Sequence, residues 1–314
     1  MISTFRSLPA PEALTEVVHT AYALDVMGCV LVRSLVNDVY EVTTGQGRYV
    51  LKVYRRGHRS AEEVAWELEC ATHLATCGLP VARAQPLADG QLVGELDTPE
   101  GTRPFSLTEY VDGEKPRPPF SDDLYREFGQ LIARLHSAAD TFRTQRRRRP
   151  FDLQRTLDEP LALVLPRLAA APDDQALVRD LASAARAQVT QYAAQGLNWG
   201  VCHGDVSLDN VHLTETGLTI HDFDLAGERW RIADLTGVSA TPHWDAFAAG
   251  YTEIRGLGEA DLAALPWFRV INGIFNLRFH LVDKPAMRGT ESLSEGWVDQ
   301  GLDGLRSAAS ELLA

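Results

Sequence analysis

The chain has 314 residues, 45% of them hydrophobic and 23% charged, an ordinary composition with room for two lobes that each bury a core. A formal net charge of −13 offers nothing to attract nucleic acid; it suits solubility first and a cationic partner second. No segment reaches the roughly eighteen uninterrupted apolar residues of a spanning helix, and no apolar stretch precedes the N-terminal prolines, so neither membrane insertion nor export is expected and the cytoplasm is the expected location.

From the N-terminus, Pro11 to Met27 carries Leu14, Val17, Val18, Ala21 and Leu24 at helical spacing. Cys29 to Leu35 and Asn37 to Val42 read as strands, and Gly45-Gln46-Gly47 as a hairpin turn leading into the strand Arg48 to Tyr54. Ser60 to Ala75 reads as a helix with Ser60 as N-cap and Glu63 completing a capping box; Gly78 and Pro80 end it. Gln91 to Leu96 and Phe105 to Val111 are further strand candidates. An antiparallel sheet with one crossing helix is therefore expected up to about residue 111.

After Asp112-Gly113 the pattern turns helical. Asp122 to Ala139 is amphipathic, with Leu124, Phe128, Leu131, Ile132 and Leu135 inward, and Asp173 to Gln195 is a second helix. Arg143 to Pro150 is basic without apolar periodicity and reads as a loop or insertion. Further helices are expected from about Leu257, Pro266 and Leu302. The cysteines Cys29, Cys70, Cys77 and Cys202 form no CxxC pair, so they read as small hydrophobes, not as a zinc or redox site.

The chemistry concentrates in Gly200 to Asn210 and Leu218 to Asp224. Asp205 and Asn210 stand five residues apart in a short polar loop, where a carboxylate can orient a hydroxyl and accept its proton while the carboxamide reaches a metal. His203, ahead of a tight Gly-Asp turn, reads as loop support. Asp222 follows a short strand and is placed for magnesium; Asp224 either joins it or caps a turn. Lys52 is the lone lysine of an apolar strand, where an edge position would simply face solvent. Glu67, with Glu69 competing, lies on the next helix and can pair with it and hold the ammonium against phosphates.

This ordered set resembles the aminoglycoside phosphotransferase superfamily, which includes antibiotic, choline and homoserine kinases, a bacterial stress-response protein kinase, and a protein-kinase-like fold. The likeness spans roughly residues 30 to 280. It implies an α+β bilobal fold, with a small antiparallel-sheet N-lobe over residues 1–111, a hinge at about 108–113 and a larger, mostly helical C-lobe over 114–314. His203-Gly204-Asp205-Val206-Ser207-Leu208-Asp209-Asn210 matches the family's catalytic loop, which implies Asp205 as catalytic aspartate and Asn210 as a magnesium ligand. Ile220-His221-Asp222-Phe223-Asp224 matches the metal segment, Val50 to Tyr54 the ATP-phosphate lysine strand, and Glu67 its helix partner. Thr108 to Gly113 resembles the hinge, where backbone around Glu109, Tyr110 and Val111 meets adenine; Asp234 resembles the aspartate that braces the catalytic loop. The loop expected over the phosphates, Ser34 to Tyr40 with Asn37 at its centre, has no glycine, and no P-loop, Asp-Phe-Gly or Ala-Pro-Glu motif occurs.

ATP and Mg²⁺ are the implied cofactors. For the acceptor, the resemblance points to second-lobe helices, with Asp209, Trp230, His243, Trp244, Asp245, Tyr251, Asn272, Asn276, Arg278 and His280 as candidates, while Trp267, Phe268, Ile271, Phe275 and Phe279 read as core. The expected function is phosphoryl transfer to a hydroxyl of a small polar metabolite or antibiotic-like amino sugar. Alternatives are a serine/threonine kinase acting on a protein or ribosomally made peptide, supported by the arginines at 143 and 146–149, and a non-catalytic kinase-like module. No nucleic-acid or membrane partner is expected.

Overall fold

A computed structural model describes residues 4–314. In chain order its main elements are α1 (Pro11–Tyr22), β1 (Val26–Ser34), β2 (Asp38–Thr44), β3 (Gly47–Val53), α2 (Ala61–Thr76), β4 (Ala84–Gln85), β5 (Gly94–Thr98), β6 (Gly101–Glu109), α3 (Asp122–Ala139), α4 (Glu159–Val164), α5 (Pro172–Ala194), β7 (Trp199–Cys202), β8 (Val211–Thr214), β9 (Gly217–Ile220), β10 (Gly227–Trp230), α6 (Trp244–Thr252), α7 (Glu259–Arg278), α8 (Lys284–Arg288) and α9 (Trp297–Leu312). They fall into two compact units. One holds the chain up to Pro119 together with Thr141–Arg148 and Leu208–Leu225; the other holds Phe120–Asp140, Arg149–Ser207 and Ala226–Ala314.

The first unit is built on an antiparallel sheet ordered β1-β2-β3-β6-β4, with β5 added on β6. Alternation sorts its side chains. Tyr40 and Val42 of β2, Leu51 and Val53 of β3 and Phe105 and Leu107 of β6 point one way and close a core with Leu14, Val18 and Tyr22 of α1. Fully burying an aliphatic side chain of this kind contributes about 1.5–3 kcal/mol. Lys52 stands one residue out of that phase, beside Val39 and Ser106 in the register, and so lies on the opposite face. Helix α1 is shorter than its periodicity suggests, because Ala23 turns left-handed at φ 54° and the chain enters β1 at Val26. Helix α2 starts as expected: the Ser60 hydroxyl accepts from Glu63 N at 3.2 Å and the Glu63 carboxylate accepts from Ser60 N at 3.1 Å. The strand expected at 91–96 lies at Gly94–Thr98 instead, and the one expected from Phe105 begins at Gly101.

In the second unit, α3 occupies the predicted span and is capped by Ser121. It runs against α6, a short helix the periodicity did not reveal, at a distance only glycine permits. A Cβ on Gly129 would lie 2.1 Å from the Phe247 carbonyl oxygen, and one on Gly250 would lie 2.0 Å from that of Arg126. Helices expected separately from Leu257 and Pro266 are one helix, α7, with Pro266 inside it. The carbonyl that Pro266 leaves without a donor belongs to Leu262, which is exposed, so water can serve it. No described helix is long and apolar enough to cross a membrane.

Candidate active site

The two units carry different parts of the expected machinery. In the first, Lys52 sits between two carboxylates: its Nζ is 2.7 Å from Asp222 Oδ1 and 3.7 Å from Glu67 Oε1. The helix partner is therefore Glu67, not Glu69, which turns outward to Thr144 and Arg146. Burial works against the ammonium, but the charge of Asp222, reinforced by Tyr54 and Glu67, raises its pKa well above the lysine range and keeps it protonated. Glu67 also accepts from the Tyr54 hydroxyl at 3.2 Å and faces Arg148 at 3.5 Å. Burial pushes its carboxyl above the usual range in spite of Lys52 and Arg148, and Asp224 adds to the push.

Asp222 and Asn210 are brought together by one hairpin. β8 starts directly after Asn210, β9 ends two residues before Asp222, and His221 N donates to Asn210 O at 3.0 Å across the open end. Asp222 itself stands at φ 65°, the left-handed region in which aspartate is among the few non-glycine residues at home. Asp224 is held from behind: Arg59 Nη2 donates to its carbonyl at 3.0 Å, Arg148 donates to the same oxygen, and Arg59 Nε lies 3.7 Å from its carboxylate. Two carboxylates and a carboxamide make an all-oxygen donor set, which fits a hard divalent cation.

At Glu109 to Val111, sheet parity decides which backbone groups the strands engage. Glu109 N donates to Arg83 O at 2.8 Å, Tyr110 N to Arg48 O at 3.1 Å, and the Val111 carbonyl accepts from His212 Nδ1 at 2.9 Å. Among the described residues no hydrogen bond engages the Glu109 carbonyl or the Val111 N–H. They form an acceptor and a donor two residues apart, which suits the edge of a purine. Asn37 is buried and its carboxamide oxygen accepts from Arg55 N at 3.2 Å, so it serves the shape of its own loop. Arg33, which drew no attention in the sequence, reaches Asp222 Oδ2 at 3.5 Å.

The second unit holds Asp205 and the groups that brace its loop. Asp205 is exposed at the end of the turn after β7. Asp234 accepts from His203 N and Gly204 N, both at 2.8 Å, and from His136 Nε2 at 3.0 Å. His203 is fully buried, and its Nδ1 accepts from Asp205 N at 3.3 Å, the loop-holding role expected of it. The Tyr251 hydroxyl donates to His136 Nδ1 at 2.8 Å, which leaves Nε2–H to point at Asp234. This is one tautomer of a neutral ring, and burial lowers the His136 pKa accordingly. Burial would raise Asp234, but the His136 hydrogen bond and the surrounding positive groups hold it at about 2. Cys202 completes a buried trio with His136 and Asp234 whose ligand atoms lie within 4.8 Å of one another. Burial raises the thiol well above its usual range, and both histidine nitrogens are engaged, so the trio is a packed brace.

Residues 31–268 match the model of the phosphotransferase enzyme family. The chain belongs to that family. An uncharacterized protein of Deinococcus radiodurans is 38% identical over 311 residues, covering 95% of this chain and 89% of that one. The solved structure of a microcompartment-associated aminopropanol kinase is similar with a TM-score of 0.78 at 21% identity over 95% of both chains. An amicoumacin kinase in complex with AMP-PNP, Ca²⁺ and Ami has a TM-score of 0.76 at 18% identity, covering 94% of this chain and 93% of that one. Those likenesses give the protein-kinase-like α+β fold of the phosphotransferase family.

The acceptor candidates separate on inspection. Tyr251 is buried in the Asp234 brace and is withdrawn from the acceptor set. His243 is engaged by Asp122 at 2.6 Å and stacks on Tyr125 at 4.6 Å, and Arg278 pairs with Asp283 at 3.0 Å. Trp230 packs edge-on against Trp199, Trp244 stacks on Phe247, and His280 stacks on Trp297. Asp245 and Asn276 are exposed, and Asn272, also exposed, reaches Thr236 Oγ1 at 3.4 Å. Asp209 is exposed in the first unit with Lys115 at 3.4 Å. Trp267, Phe268 and Ile271 are buried as expected of core; Phe275 and Phe279 are half-buried. The basic segment is the loop expected of it, with one exception to its solvated character: Arg148 is buried against Glu67, while Arg146 pairs with Glu69 at 3.3 Å and Arg149 with Glu159 at 2.6 Å on the surface and Arg143 and Arg147 are exposed.

Proposed function

We propose that the protein transfers the γ-phosphoryl group of ATP to a hydroxyl of a small polar acceptor, with magnesium as its cation and the cytoplasm as its place of work. The observation that carries this reading is the buried Lys52 ammonium, 2.7 Å from Asp222 and 3.7 Å from Glu67. A buried cation facing two carboxylates is costly to build and, on one sheet face, is what grips a polyphosphate. In this role Lys52 binds the α- and β-phosphates and Glu67 orients it. Asn210 and Asp222, with Asp224 beside them, would hold magnesium, which supplies charge neutralisation on the phosphates. The Glu109 carbonyl and Val111 N–H take the adenine edge. Asp205 orients the acceptor hydroxyl and takes its proton as the new oxygen–phosphorus bond forms and the bond from the γ-phosphorus to the β–γ bridging oxygen breaks, releasing ADP.

For the acceptor, the likeness to an aminopropanol kinase and an amicoumacin kinase favours an amino alcohol or a larger polar metabolite, and the net charge of −13 favours a cation. Trp230, Trp244, Asp245, Asn272 and Asn276 are the side chains proposed to shape its site. The peptide-kinase alternative rested on the arginine segment, from which the buried Arg148 is withdrawn by its contact with Glu67. A product-detecting screen with labelled ATP against amino alcohols, amino sugars and peptides tests the proposal. Label appearing in a small amino alcohol or amino sugar supports it; label in peptides alone, or none in any acceptor, contradicts it.

A further inference from the structure

The segment Thr141–Arg148 follows α3 in sequence yet packs in the first unit, along α2. Its first residue meets the C-terminal turns of the helix, with Thr141 Oγ1 3.1 Å from His73 Nε2, and its last residues meet the N-terminal turns. The Phe142 ring lies edge-on to Trp66 at 5.3 Å, Thr144 and Arg146 bond Glu69, Arg147 N donates to Glu62 at 3.2 Å, and Arg148 Nη1 donates to the Glu63 carbonyl at 3.1 Å. The segment is thus a strap laid antiparallel on the helix that carries Glu67.

Docking such a strap needs only the apolar contact and the outer ion pairs. Arg148 goes further. Its side chain is 1% exposed, faces Glu67 Oε2 at 3.5 Å, and donates through Nη2 to the Asp224 carbonyl while Nη1 holds the helix backbone. Burying a guanidinium is costly unless each partner is in place, and a planar fork with fixed donor directions constrains the groups it joins. Here it joins the helix partner of Lys52 to the segment that carries Asp222 and Asp224. We propose that Arg148 is a positioning residue for the nucleotide end of the site, and that the strap holds α2 in its working position permanently. Resting on the kinase reading, this assigns the chain no separate activation step: the contact that sets the Lys52–Glu67 pair is built into the fold.

The test measures binding of Mg²⁺–AMP-PNP by titration calorimetry, with denaturation curves run on the same samples, for the wild type, Arg148→Met, Arg148→Lys and the exposed-side-chain control Arg147→Ala. Arg148→Met weakens nucleotide binding ten- to a hundredfold and raises the Mg²⁺ concentration for half-saturation. Arg148→Lys, which keeps the charge but not the fork, recovers part of the affinity, and Arg147→Ala binds as the wild type does. If Arg148→Met does not fold, Arg148→Lys decides, with a three- to tenfold loss expected. A merely structural role would lower the denaturation midpoint and leave nucleotide affinity and Mg²⁺ requirement unmoved, which overturns the proposal. A wild type that fails to bind Mg²⁺–AMP-PNP contradicts the kinase reading itself; a wild type that binds, with Arg148 variants binding equally, contradicts only the role of Arg148.

Discussion

Glu67 and Asp234 are both buried carboxylates, one in each compact unit, and their acidities move in opposite directions. Asp234 receives three directed donors at 2.8–3.0 Å, two of them backbone N–H groups, and is held at about 2 although burial alone would raise it. Glu67 has one hydroxyl donor at 3.2 Å and two cations at 3.5 and 3.7 Å, and burial pushes it up. Aimed hydrogen bonds keep a buried carboxylate ionised; cations at longer range only lessen the cost. The first arrangement suits a rigid brace under a catalytic loop. The second suits a site whose charge balance changes when phosphates and a cation arrive.

The contrast is sharpened by variants that strike one region and spare the other. Lys52→Met should lower kcat/KM for ATP by about a hundredfold or more, the scale of a lost charged contact. Its stability should fall less than that of Asp234→Asn, because Glu67, already pushed toward the neutral form, can take a proton. In steady-state kinetics, a kcat/KM for ATP left at the wild-type value would break the assignment of Lys52. Asp234→Asn should cost about 3–5 kcal/mol in denaturant titrations, since it leaves buried donors from His203, Gly204 and His136 poorly matched. A loss below about 1 kcal/mol would remove the brace from the description.

Acid should reach the second unit through His136. Burial lowers its folded pKa, so below about 6.5 the unfolded chain binds a proton that the folded chain does not, and stability falls with pH from there down. Asp234 has the depressed-carboxylate sign: its contribution is present above the ordinary aspartate value of 3.8 and lost as pH falls toward about 2. His58 and His280, also lowered by burial, add to the first trend. Between pH 6.5 and 5 the wild type should lose up to about 2 kcal/mol more than His136→Gln, because one proton is worth about 1.4 kcal/mol per pH unit. Parallel slopes for the two would contradict a neutral buried His136. The smallest effect belongs to the capping box of α2. Ser60→Ala should cost about 1 kcal/mol of stability and leave nucleotide affinity nearly unchanged.

Much of this was legible in the sequence where local rules and chemistry coincide. Ser60 with Glu63 marked the start of α2, the lone lysine of an apolar strand with a glutamate on the next helix marked Lys52 and Glu67, and the strand end before Asp222 and the polar loop ending at Asn210 marked the two oxygen donors. The partners of buried groups were not legible. His136 on α3 meets Tyr251 on α6 only because Gly129 and Gly250 let the helices close, a distance no periodicity encodes. Arg148 reads as one more arginine in a basic run; its burial follows from a strap crossing back to α2, a long-range contact without local signature. Pro266 misled for the opposite reason, since a proline in a helix with a solvent-exposed turn behind it costs less than the rule for breakers suggests.

The most direct measurement compares Asp205→Asn with the wild type for acceptor-dependent ADP formation and, on the same samples, for binding of Mg²⁺–AMP-PNP. Loss of turnover by about a hundredfold to ten-thousandfold with nucleotide affinity kept within about threefold is the expected outcome for a carboxylate that acts on the acceptor hydroxyl. Near-normal turnover in Asp205→Asn would contradict phosphoryl transfer at this loop.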